Sequence, residues 1–106
     1  MSAIRLRLRA RQDIEEALGY YLDELAFDAA EGFTRESEAA FHHLSCLPAS
    51  GSPRYAHLLD LPGLRTWPVA AYPYLIFYFE RDGLVDVMRV LHTRRDISAL
   101  LLEQAG

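Results

Sequence analysis

The chain lacks several features that would define other classes of protein. Its single cysteine, Cys46, cannot form an internal disulfide, and as a small apolar residue near the end of a predicted helix it is expected to be buried. The longest apolar stretch, residues 67–79, contains two prolines and is shorter than the roughly 20 residues that span a bilayer. The N-terminus has an arginine at every second position from Arg5 to Arg11, where a signal peptide has an unbroken apolar run. We therefore expect a soluble, cytoplasmic protein.

Lysine is also absent, so arginine carries all of the positive charge, and this charge is unevenly distributed. Residues 1–12 contain four arginines and no acid, whereas residues 13–48 contain nine acids and one arginine. The net charge of −4 argues against a simple nucleic-acid-binding protein, although the segregation permits a local basic patch. The length of 106 residues and the 51% apolar composition predict one globular domain, residues 1–106.

The first half of the chain is predicted to form a strand and two helices. Apolar residues and arginines alternate over residues 4–9, as in a half-buried strand. Over residues 11–25 the apolar spacing changes to i, i+3, i+4, i+7, which indicates an amphipathic helix with Asp13 in its first turn, where the helix dipole favours negative charge. Asp28 and Glu31 resemble a capping box that starts a second helix, and the short gap predicts an antiparallel helix hairpin.

The second half is predicted to be rich in strands. Residues 48–63 carry most of the turn-forming residues and are interpreted as a connection inside the domain. Three strands are expected to follow, with an Asp-Gly hairpin turn between the last two: Leu64–Val69, Tyr74–Phe79 and Leu84–His92. The last strand is apolar on both faces and is therefore predicted to be central. Asp96 can cap a final short helix, Ile97–Gln104.

This order of elements, β-α-α-β-β-β with a short C-terminal helix, predicts a two-layer α+β fold. The N-terminal strand is expected to join the sheet, because three strands alone would leave the helix hairpin poorly covered. The hairpin then lies on one face of an antiparallel sheet. The other face is expected to lack a helix and to present apolar surface to a partner.

Two segments resemble ParE-like toxins of the bacterial RelE/ParE superfamily. The first begins with Leu61-Pro-Gly-Leu-Arg65 and continues to the strand Tyr74-Leu-Ile-Phe-Tyr78. The second follows the Asp-Gly turn and reads Val87-Met-Arg-Val-Leu-His92-Thr-Arg-Arg95-Asp96. The resemblance implies a RelE-like fold and a type II toxin–antitoxin operon. It also implies a ParD-like antitoxin that forms a hetero-oligomer with the toxin and supplies the contact with operator DNA.

The resemblance further implies DNA gyrase as the target. We expect a non-enzymatic toxin that inhibits gyrase by protein contact and needs no metal or cofactor. Two alternatives stay open, a ribosome-dependent mRNA endoribonuclease of RelE type and a non-toxic RelE-fold protein that only binds a partner. RelE-type nucleases stabilise the developing phosphorane charge with several lysines and arginines and use a tyrosine or histidine for proton transfer. This chain has no lysine, and its nuclease candidates would be Arg65, His92 and Arg94.

Arginines dominate the residues expected to contact the target or the antitoxin. The candidates are Arg5, Arg7, Arg9, Arg65, Tyr74, Arg89, His92, Arg94 and Arg95. The three arginines of the first strand are predicted to share one face and, if that strand pairs with the last one, to lie near the three arginines of the C-terminal segment. Such a cluster could dock an acidic peptide or nucleic acid, or it could be a solvated sheet face. The adjacent His42 and His43 point in different directions on a helix, so no metal site is predicted.

Overall fold

The structure is a computed structural model that describes residues 1–105. The chain begins with strand β1 (Ala3–Leu6) and the helix hairpin α1 (Leu8–Asp23) and α2 (Phe27–Cys46). A turn of 3-10 helix (Pro48–Ser50) and the short helix α3 (Arg54–Leu59) lead to β2 (Leu64–Pro68), β3 (Tyr74–Arg81), β4 (Leu84–His92) and α4 (Ile97–Ala105). The predicted α+β class and the β-α-α-β-β-β order are confirmed, with α3 as an addition. No helix of the described chain is long and apolar enough to cross a membrane.

The four strands form one sheet in the order β1-β4-β3-β2. The predicted antiparallel sheet is confirmed for the last three strands but is wrong for β1, which joins as a parallel strand with Ala3 opposite Leu84 and Leu6 opposite Val87. β4 therefore lies between two strands, as its two apolar faces predicted. The Asp-Gly turn before it is also confirmed, because Asp82 and Gly83 take φ angles of 49° and 76°, as a tight two-residue hairpin requires.

The helix hairpin covers one face of the sheet, as predicted. The apolar stripe of α1 and the larger stripe of α2 pack on side chains of β3 and β4. This core contains Ala10, Ala17, Phe33, Ala40, Leu44, Ile76, Tyr78, Val85, Val87 and Val90. The hydroxyl of the fully buried Tyr78 donates to the Pro48 carbonyl at 2.6 Å and accepts the Gly51 N–H at 3.0 Å, which ties the segment after α2 to the sheet.

The opposite face of the sheet is also covered, so the prediction of a bare apolar face is wrong. Residues of α3 and α4 pack there on the second side of the sheet, in a core that contains Tyr55, Leu64, Phe77, Met88, Leu91, Ile97 and Leu101. Residues 48–63 were interpreted as a connection, but Tyr55 and Leu59 are spaced i, i+4 and share one side of a helical turn. The surrounding prolines and glycines hide this signal. The second face becomes buried because two short segments fold onto it.

α1 begins at Leu8, three residues earlier than predicted. The parallel pairing with β4 ends where the Arg7 N–H donates to the Val87 carbonyl at 3.0 Å, and the chain turns into a helix directly afterwards. The alternation predicted through residue 9 therefore stops early, and Leu8 is 69% exposed. Arg9 lies on α1 and not on the strand, and Asp13 lies buried in the second turn instead of at the helix start.

Three smaller predictions concern the ends of helices. α2 begins at Phe27, one residue before Asp28, so the predicted capping box does not form and no side chain caps this helix. Cys46 is exposed, contrary to prediction, because the last turn of α2 directs it away from the core. The cap of α4 is confirmed, since Asp96 Oδ1 accepts the Ala99 N–H at 3.2 Å.

Candidate functional site

A groove with a volume of about 660 Å³ lies between α1 and the C-terminal end of β4. Its lining comes from α1, from the start of β3, from the end of β4 and from the turn that follows. The lining residues that bear on its chemistry are Asp13, Glu16, Tyr20, Tyr21, Tyr74, His92, Arg94 and Arg95. We refer to it as the tyrosine groove. It contains four of the nine candidates predicted from the sequence, all from the C-terminal half.

A buried ion pair fixes the wall of the tyrosine groove. Asp13 accepts hydrogen bonds from Arg89 Nε at 2.8 Å and from Arg89 Nη2 at 2.9 Å, and the two side chains are only 5% and 4% exposed. The same carboxylate accepts the Val90 N–H at 2.9 Å, on the edge of β4 beyond the residues that β1 covers. The hydrogen bonds that Arg89 donates to Asp13 are the main cause of the raised pKa of Arg89. Arg89 therefore fastens α1 to the sheet, and its charge is neutralised inside the protein.

Tyr74 and His92 form the sheet side of the groove. They lie opposite each other on β3 and β4, with their rings edge to face at 5.1 Å. His92 Nδ1 accepts the backbone N–H of Arg94 at 3.0 Å, so a neutral His92 carries its proton on Nε2. His92 is therefore a strand-end histidine that is bonded to the turn after β4.

The hydroxyls of Tyr20, Tyr21 and Tyr74 form no hydrogen bond with any residue of the described chain, whereas the neighbouring Tyr72 donates to the Ala29 carbonyl at 2.9 Å. Burial is the largest cause that raises the pKa of Tyr74 and of Tyr21. Both phenols are therefore protonated at neutral pH. They are hydrogen-bond donors that lack an acceptor within residues 1–105.

The predicted cluster of six arginines does not form. Arg7 forms an ion pair with Asp86 at 2.9 Å, and this hydrogen bond is the main cause of the lowered pKa of Asp86. Arg9, on α1, donates to Gln12 at 3.3 Å, and Arg5 lies exposed on β1. The cluster fails because the strand ends early and because Arg89 turns to α1. Arg94 and Arg95 remain exposed at the tyrosine groove.

Arg65 lies in another part of the molecule. Its Nη1 donates to the Gly51 carbonyl at 2.8 Å, and it lines a separate groove of about 420 Å³ beside α3. In the strand register, Arg65 lies opposite Tyr78, whereas His92 lies opposite Tyr74, the first residue of β3. From ordinary strand spacings, the Cα atoms of Arg65 and His92 are roughly 16 Å apart. The three nuclease candidates therefore do not share one site.

Sequence reasoning missed Asp13, Tyr20 and Tyr21 as parts of this site. Tyr21 was assigned to the apolar stripe of α1, and Asp13 to the helix dipole. The only signal in the sequence was the adjacent pair of tyrosines, which is not specific. Within residues 1–105, no three histidine, cysteine, aspartate or glutamate side chains are grouped so that they could hold a metal ion.

Comparisons with known proteins agree with this architecture. Residues 4–97 match the model of a family described as the ParE toxin of the type II toxin–antitoxin system parDE. A solved structure described as the chromosomal ParDE toxin–antitoxin system from P. aeruginosa superimposes with a TM-score of 0.63. The superposition has 16% sequence identity and covers 87% of this chain and 96% of the other. At this identity the likeness concerns the fold. No curated protein matches the sequence.

Proposed function

Because this chain belongs to the ParE toxin family of type II toxin–antitoxin systems, we propose that it inhibits DNA gyrase and that a ParD-like antitoxin neutralises it. Residues 1–106 act as one toxin domain in the cytoplasm. This domain inhibits gyrase by protein contact and thereby stops cell growth. The antitoxin forms a hetero-oligomer with the toxin and provides its contact with operator DNA. The solved ParDE system with the same fold supports the expectation of an antitoxin partner.

The separation of the nuclease candidates is the observation that favours gyrase over the ribosome. RNA cleavage needs a base, an acid and cations that converge on one phosphate. Here Arg65 donates to the Gly51 carbonyl and lies opposite Tyr78, four residues along β3 from Tyr74. His92 and Arg94 lie together, without a second basic strand residue of the described chain beside them. Arg89, the nearest such residue on β4, is buried against Asp13. The sheet thus offers no converging set of cations, and the lack of lysine removes the usual substitutes.

Two assays on the purified chain test this proposal. In a supercoiling assay with purified gyrase, the chain should reduce supercoiling in proportion to its concentration. In a cleavage assay on translating ribosomes, it should leave mRNA intact. Cleaved mRNA with unaffected gyrase would establish the ribonuclease alternative. Activity in neither assay, with retained antitoxin binding, would identify a non-toxic partner-binding protein.

A further inference from the structure

We propose that the tyrosine groove binds a carboxylate side chain from an acidic segment of the antitoxin. This inference rests on the proposed function, since it names the chemistry by which the partner is held. It arises from an imbalance in the groove, which presents hydrogen-bond donors and positive charge but few free acceptors.

Tyr74 shows the imbalance most clearly. The residue is 9% exposed, yet no described residue accepts a hydrogen bond from its hydroxyl. In the described chain, the buried side-chain atoms without a hydrogen-bond partner are those of Ser37 and Thr66, and the Tyr74 hydroxyl is not among them. This hydroxyl therefore opens into the groove that Tyr74 lines. An acceptor that fills the groove would therefore give this hydroxyl a protein partner in place of solvent.

Two further donors and a charge lie beside it. Tyr20 and Tyr21 line the same groove with unpaired hydroxyls, and the positive charge of Arg95 is close enough to oppose the rise in the pKa of Tyr74. Phenol and guanidinium donors that line one groove favour an anionic oxygen. A carboxylate can accept several of these hydrogen bonds at once.

The unpaired charges of the groove favour the binding of a single carboxylate over the binding of a polyanion. Asp13 is neutralised by Arg89, so the free charges of the groove are those of Glu16, Arg94 and Arg95. These leave one net positive charge at the groove in a chain of net charge −4. RNA carries a charge on every phosphate and would meet Glu16 and the acidic surface of α1 and α2. An acidic peptide side chain brings one charge and fits the balance.

The test uses the full-length chain and a peptide probe, acetyl-Ala-Glu-Ala-amide, with the glutamine peptide as its uncharged match. Binding is followed by NMR titration, with inorganic phosphate and hexauridylate as further arms. The glutamate peptide should bind, with shifts centred on Tyr74, His92 and Arg95, and the glutamine peptide should bind at least ten-fold more weakly. Tyr74→Phe removes only the hydroxyl and should weaken binding roughly ten-fold, the effect of one hydrogen bond to a charged group.

Matched control variants are available on α3, on the opposite face of the sheet. Tyr55 is 8% exposed and its hydroxyl accepts from Arg54 at 2.9 Å, so Tyr55→Phe and Arg54→Gln reproduce the same chemical changes away from the groove. They should leave peptide binding unchanged, whereas Arg95→Gln should weaken it. Equal binding of both peptides, preference for phosphate or hexauridylate, or full binding by Tyr74→Phe would overturn the proposal.

A second measurement addresses the partner. The antitoxin encoded beside the toxin gene should bind Tyr74→Phe and Arg95→Gln at least ten-fold more weakly than it binds the two controls. Equal affinity for all four variants would overturn the assignment of the groove to the antitoxin. The supercoiling assay is independent of both measurements, so a failure of gyrase inhibition and a failure of carboxylate binding are distinguishable.

Discussion

The ion pair between Asp13 and Arg89 should be the most sensitive polar contact of the fold. Asp13→Ala leaves a guanidinium buried without a counter-charge and leaves the Val90 N–H without its acceptor. Removing one partner of a buried pair costs about 3–5 kcal/mol. For a domain of this size each kcal/mol corresponds to a shift in Tm of about 4–8 °C, so Tm should fall by at least about 12 °C. Urea unfolding and thermal scans of the wild type and the variant measure both quantities.

Two companion variants separate the ion pair from other causes. Glu15→Ala changes an exposed acid on the same helix and should alter the free energy of unfolding by no more than about 0.5 kcal/mol. The double variant Asp13→Leu/Arg89→Met leaves no buried charge and should be more stable than Asp13→Ala, although the Val90 N–H still costs about 1–3 kcal/mol. A cost below about 1 kcal/mol for Asp13→Ala, or a double variant as unstable as Asp13→Ala, would contradict this role of the ion pair.

Three further predictions concern pH, the C-terminal helix and toxicity. The lowered pKa of Asp86 contributes stability at pH values above the unfolded pKa of about 3.9, and this stability is lost as the pH falls through the folded pKa. Asp86→Asn should therefore flatten the dependence of the free energy of unfolding on pH below about 4. An unchanged slope would contradict this prediction. Leu101→Ala should lower the free energy of unfolding by about 2–5 kcal/mol, because Leu101 is fully buried. Leu102→Ala, at a 47% exposed position, should change it by about 0.5 kcal/mol or less. Similar losses for the two variants in urea unfolding would mean that α4 is not docked on the sheet as described. Arg94→Ala removes an exposed contact worth less than about 1 kcal/mol, so cells that express it without antitoxin should still stop growing, with DNA breaks before any arrest of translation. Early translational arrest that Arg94→Ala abolishes would instead indicate a ribonuclease.

Local patterns in the sequence are enough to predict the order of the elements and the α+β class of the fold. Alternation with period two, apolar spacing with period 3.6 and the Asp-Gly turn are local signals, because each depends on residues within a few positions of one another. They were sufficient for β1, the helix hairpin and the three C-terminal strands. The two apolar faces of residues 84–92 were also sufficient to place β4 inside the sheet. The resemblance to ParE-like toxins rested on the same strands and is confirmed by the family match.

The positions of the charged groups depend on how distant segments pack. Asp13 and Arg89 are 76 residues apart, and nothing in the spacing of either pairs them. Their pairing depends on the parallel strand β1, which ends at Leu6 and leaves the next stretch of the edge of β4 to α1. Because β1 ends at Leu6, the N-terminal arginines also lie apart from one another, and Arg7 forms an ion pair with Asp86.

The tyrosine groove is likewise a product of packing. Tyr20 and Tyr21 lie on a helix and Tyr74 on a strand, and they meet because α1 is fixed across the end of β4. The covering of the second sheet face by α3 and α4 also depends on contacts between distant segments, such as that of Tyr55 with Phe77. Periodicity specifies which side of an element is apolar, but not which distant surface will cover it, because that choice depends on the shape and hydrogen-bonding groups of the assembled sheet.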